Sequence, residues 1–187
     1  MAAKSDCKME DFLKKIQLIQ HKQIKLPIDK TAFLKAFKEN VDEGEIGVFS
    51  GMFEAFSSSK NKFKGKISHS DFELRRRHVL FQRNQMFARV KGTFRQQADH
   101  VIVDLNINGF SKMMIPFYIF AILFYVYFIS IIGFTSRAFD MFSVFIVIHG
   151  ILMFVIPYVV MRNGVKNVAS DIEKEFFFMT RKEPYNL

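Results

Sequence analysis

Two stretches of this sequence contain no Lys, Arg, Asp or Glu, and they constrain its folding more than any other feature. Met113 to Phe134, MMIPFYIFAILFYVYFISIIGF, is 22 residues long. At 1.5 Å rise per residue that is about 33 Å, enough for a hydrocarbon core of about 30 Å. Met141 to Met161, MFSVFIVIHGILMFVIPYVVM, adds 21 more, and Thr135 to Asp140 leave just enough chain for a tight turn. The pattern predicts an antiparallel transmembrane hairpin. As helices of a soluble core the same stretches would lack the polar face that nearly every helix of so small a domain must show to water.

Cations set the expected orientation. The turn holds one, Arg137, whereas Lys112 precedes the first span and Arg162 and Lys166 follow the second. The positive-inside rule then puts both termini on the cytoplasmic side of an inner or plasma membrane, with the turn outward. The amino terminus is polar and lacks the apolar core of a secretory signal, so nothing in it is expected to export the first hundred residues. One cysteine, Cys7, excludes an internal disulfide.

Within the hairpin, Pro116 falls in the first turn of its helix and Pro157 near the end of the second, where it is expected to kink the helix. Gly133 and Gly150 permit close backbone approach. His149 stands out, because ionisable groups at membrane depth are rare and often functional. Folded about the turn, it lies at the level of Tyr125 and Tyr127. A neutral imidazole there either hydrogen-bonds a tyrosine hydroxyl or serves a proton or ion path.

Residues 1–112 carry 21 of the 27 Lys and Arg against 13 of the 18 acids, a basic module on a bilayer tether. Met9, Phe12, Leu13, Ile16 and Ile19 recur at helical spacing, while Ile16, Leu18, Ile24 and Leu26 also suit an interrupted strand. Pro27 ends that segment and Asp29 can cap a short helix bearing Phe33, Leu34, Phe37 and Val41, before a turn at 42–45. Beyond Ser57 the period becomes two. Phe63, Gly65 and Ile67, then Phe72 and Leu74, then Met86 to Phe94, then Val101 to Ile107 alternate with polar residues, predicting an antiparallel meander of about four strands. After the second span, Val165, Val168, Ala169, Ile172, Phe176 and Phe177 form one stripe of a helix expected to return to the sheet.

The fold class expected is therefore membrane α+β. A transmembrane hairpin (113–134 and 141–161) joins a cytoplasmic domain (1–112) whose antiparallel β-meander packs on amphipathic helices, with 162–187 as a returning amphipathic helix.

The polar parity of the strands gathers Lys62, Lys64, Lys66, Arg75, Arg77, Arg89, Lys91 and Arg95, a cationic face suited to anionic lipid headgroups, each near cation contributing about 1 kcal/mol at such a surface. A protein or nucleotide partner is also compatible. Nucleic acid is disfavoured, since the aromatic residues lie on the opposite parity and leave no stacking platform among the cations. Arg95-Gln-Gln-Ala-Asp-His100 resembles in spacing the Arg-x4-His motif of HEPN ribonucleases, in which an arginine and a histidine converge on a scissile phosphate. That motif belongs to a helical domain, and here its flanks alternate as strands. His21, His69, His78, His100 and His149 form no pair at helical ligand spacing, and no glycine-rich phosphate loop occurs. Neither an enzyme, nor a bound metal, nor a cofactor is expected. The function expected is a binding or assembly module at the anionic lipid surface, partnered by the bilayer, by an unidentified protein or by further copies of itself. The alternative is an oligomeric membrane effector or pore of toxin or phage-defence type, an analogy of architecture only.

Overall fold

Alternating and helical periods map onto ten elements in the computed structural model, which describes residues 2–46, 61–77, 88–135 and 141–182. In chain order these are α1 (Ala2–Lys15), β1 (Ile19–Leu26), α2 (Lys30–Glu39), β2 (Val41–Glu43), β3 (Phe63–Ile67), β4 (Asp71–Arg76), β5 (Arg89–Gln97), β6 (His100–Asn108), α3 (Met114–Thr135) and α4 (Met141–Lys182). Both readings of the first segment hold, divided at Gln17. Its left-handed backbone, φ 60°, ends α1, and the chain leaves as β1.

The strands form one six-stranded sheet in the order β1-β6-β5-β4-β3-β2. Neighbours from β1 to β3 pair antiparallel. The sheet is mixed, however, and not the purely antiparallel meander expected. Val41, Asp42 and Glu43, read as helix end and turn, pair parallel with Phe63, Lys64 and Gly65. Three residues of edge strand are too short for any periodicity to show. Met86 and the hairpin residues 136–140, Arg137 among them, lie outside the described residues.

Asp29 caps α2 as expected, its carboxylate accepting from the Thr31 amide at 2.8 Å. The helix then lays Phe33 and Phe37 on the sheet. There they meet Phe72 and Phe94 from the strands and Phe176 from α4, in a ring cluster with centroids 5.0 to 6.2 Å apart. Val101, Val103, Leu105 and Ile107 of β6 complete the core beneath. Edge-to-face packing of this kind adds about 0.5–1.5 kcal/mol per pair beyond area burial.

The helix expected over 162–187 is not a separate element. α4 runs 42 residues without interruption, through Pro157, from the second apolar stretch into the core. Pro157 thus sits in a helix interior and not near a helix end. Val165, Val168, Ala169, Ile172, Phe176 and Met179 are buried against the sheet, while Phe177 points outward. Three ion pairs flank this stripe: Lys22 to Glu173 at 2.6 Å, Arg76 to Asp171, and Lys62 to Glu175.

α3 and the first half of α4 are each long and apolar enough to cross a membrane, and only 11% of the most apolar stretch of each is buried within the chain. They touch through Ala121, Tyr125 and Ile146, with Phe128 and Phe154 alongside.

Candidate functional site

Three places concentrate polar chemistry: the outer face of the sheet, the joint where sheet and apolar helices meet, and the middle of the helical pair.

On the outer face, register sets His21 of β1 beside Asn106 of β6, Asn106 beside Lys91 of β5, and Lys91 beside Glu73 of β4. These residues, with Asp71, Thr93 and Asp104, line a groove of about 420 Å³. Strand pleating puts them there: every second residue of four adjacent strands points away from the core. The groove is of mixed charge and internally paired. Asp104 accepts from Gln23 at 2.6 Å and lies 3.0 Å from Arg95, and Lys91 lies 3.6 Å from Glu73. Asn106 Oδ1 is buried and makes no hydrogen bond among the described residues.

The eight cations read as one lipid-facing set divide on this frame. Arg75 and Arg77 are 6% and 8% exposed, and Arg77 pairs with Asp42 at 2.8 Å. Lys62 precedes the first residue of β3, so the strand parity does not govern it, and it turns to Glu175 on the α4 side. Lys91 and Arg95 are exposed but paired with acids of neighbouring strands, and the Lys64 stem lies against Gly44. Lys66 and Arg89 are exposed and hold no ion pair among the described residues. Alternation gives the direction of a strand side chain, not what lies over it, so the expected uniform cationic face becomes a partly neutralised one. Sequence reasoning passed over three groups: Arg76, which turns to α4, and His21 and Asp104, which line the groove. The pairing of β1 with β6 sets His21 next to Asn106 and so near Lys91, and the pairing of β5 with β6 sets Asp104 beside Arg95.

The Arg95 to His100 spacing occupies the β5–β6 turn. Gln97 pairs with His100, Ala98 is left-handed at φ 49°, and Arg95 is held by Asp104. Gln96 serves structure as well, its Oε1 accepting from the Lys30 amide at 2.8 Å at the start of α2. Among the described residues no three His, Cys, Asp or Glu side chains gather as they would around a metal ion.

At the joint, Leu13, Leu18, Ile19 and Met161 are buried together, with Ile16, Phe110, Met114, Tyr118 and Tyr158 around them. The Tyr158 hydroxyl donates to the Ile16 carbonyl at 3.1 Å, and the Arg162 guanidinium donates twice to Gln17 Oε1, at 2.8 and 2.6 Å. Gly109, whose amide donates to the Leu18 carbonyl at 2.9 Å, lies so close to Val165 and the Met161 carbonyl that no side chain fits.

Midway along the helical pair, the Tyr125 hydroxyl lies 2.6 Å from His149 Nδ1. The Tyr125 ring rests on Gly150, where a methyl group would already be tight, and is itself 8% exposed. His149 stacks on Phe145 and stays exposed on the flank of α4, and Tyr127 points outward. Of the two tyrosines at the level of His149, then, only Tyr125 joins it.

Neither a protein-family model nor a curated protein nor a solved structure matches this chain.

Proposed function

We propose that this chain is a two-pass membrane protein, both termini cytoplasmic, that acts by binding or assembly at the membrane surface and not by turnover. The observation that carries the proposal is α4. Its first half presents apolar side chains outward on nearly all sides, and its second half is a core helix of the sheet. A soluble protein would leave about twenty large apolar residues in water, far beyond the patch a monomer tolerates. A bilayer removes that cost.

One continuous helix shared by span and domain supports a particular seating of the domain. Leu18 lies by Gly109 and Val165, and Lys22 reaches Glu173, so β1 climbs away from the bilayer alongside α4. The outer groove then looks sideways along the membrane, open to a protein partner or a second copy. Headgroups are met instead by the cations of the joint, Lys15, Lys112, Arg162 and Lys166, together with Arg89 at the start of β5.

Alkaline carbonate should leave the chain in the pellet, and reporters fused to either end should both register on the cytoplasmic side. Extraction, or ends on opposite sides, refutes the proposal. Native mass spectrometry should find fewer phosphatidylglycerol molecules retained when Lys112, Lys166 and Arg89 are changed together to Gln. Equal retention refutes the lipid contact.

A second reading, an oligomeric effector or pore, draws on His149. Its Nδ1 is engaged by Tyr125, while Nε2 makes no hydrogen bond among the described residues and the residue is exposed. Overexpression should then release dye from cells, and His149→Leu should reduce the release. Intact cells at high expression exclude it.

A further inference from the structure

We infer that α1 is an in-plane membrane anchor, its Met9 and Phe12 side chains inserted at the boundary between headgroups and acyl chains. The inference rests on the two-pass reading.

One side of α1 belongs to the domain. Glu10 approaches His21 of β1 at 3.6 Å and pairs with Lys14 at 3.0 Å, and Leu13 is buried in the joint. Phe12 is two residues from Glu10, hence about 160° round the helix from it. It therefore points away from the sheet, and it is 59% exposed with Met9 at 46% on the same arc.

What lies on that side follows from the joint. The C-terminal end of α1 is tied to the base of the spans by Tyr158 at Ile16 and by Arg162 at Gln17. The apolar arc of Met9, Phe12 and Ile16 thus continues through Tyr118 and Met114 into the outward apolar surface of α3. Exposed Lys8 and Lys15 flank Phe12, four residues before it and three after, where their stems can run along the apolar face and their ammonium groups reach anionic phosphates. An apolar pair flanked by lysines, at the level where spans meet domain, is how an interfacial helix is built. The occupant is the bilayer and not another protein.

Single cysteines in a Cys7→Ser background test this in inside-out vesicles with an impermeant maleimide. Phe12→Cys should react about ten-fold more slowly than Lys35→Cys, an exposed position of α2, and should catch up once detergent removes the bilayer, while Leu123→Cys stays unreactive before detergent. Position 12 reacting as fast as position 35, with position 123 protected, overturns the anchor and leaves the two-pass reading standing. Fast reaction at position 123 overturns both. Protection at position 12 that persists in detergent assigns its cover to protein and overturns the anchor too.

Discussion

Glu173 accepts a 2.6 Å hydrogen bond from Lys22, a residue of the first strand reaching one of the last helix across 151 positions of sequence. The apolar pair of α3 and α4 is therefore inserted within one folding unit, whose sheet is complete by Asn108 but whose core closes only when the chain returns along the second half of α4. The apolar half of α4 and a core helix of the domain are one continuous helix.

Gly109 should be a sensitive backbone position. Gly109→Ala puts a methyl group into Val165 and the Met161 carbonyl, an overpacking that costs about 1–3 kcal/mol. Thermal unfolding in detergent should fall accordingly, and Val165→Ala should restore part of the loss.

The three ion pairs along α4 should differ in worth. Arg76 and Asp171 have side chains 15% and 28% exposed, and Arg76→Ala leaves a carboxylate half-shielded from water. About 1–3 kcal/mol is expected for it, the scale of a charged hydrogen bond lost. Lys62 is 59% exposed, so Lys62→Ala should change stability by less than about 1 kcal/mol. Denaturant titration of both variants at low and high salt checks the order.

Phe176 anchors α4 in the ring cluster, touching Phe33, Phe37 and Phe72. Phe176→Ala should cost about 3–5 kcal/mol. Phe177→Ala, one residue on and exposed, should cost little. Limited proteolysis of the two variants distinguishes them, cleavage rising only in the first.

Tyr125→Phe removes the hydroxyl facing His149 but keeps the ring on Gly150. Hydrogen bonds between membrane helices contribute about 0.6 kcal/mol on average and up to about 1.7. Unfolding in mixed micelles should show a loss of that size, whereas Gly150→Leu, which displaces the ring, should cost more.

Two hydrogen bonds from Thr31 hold the Asp29 carboxyl below the ordinary carboxylate range. A lowered folded-state value means the cap contributes fully above the unfolded-state value and is lost as pH falls through the folded one, below about pH 4. Helicity should drop over that window in the native chain. Asp29→Asn, still a competent cap but without a titrating group, should flatten the drop.

The two apolar stretches, the alternation of β3 to β6, the Asp29 cap and the Val165 to Phe176 stripe were all legible in the sequence. Each rests on local periodicity or local capping chemistry, which a chain carries in consecutive residues. Tertiary structure alone decided the parallel pairing of β2, the burial of Arg75 and Arg77, the turn of Lys62 and Arg76 toward α4, and the joining of the apolar helix and the domain helix through Pro157. It also decided the choice of Tyr125 over Tyr127. These depend on what comes to lie opposite a side chain, and that is set by strand order, register and helix rotation among segments up to 151 residues apart, about which no local pattern carries information.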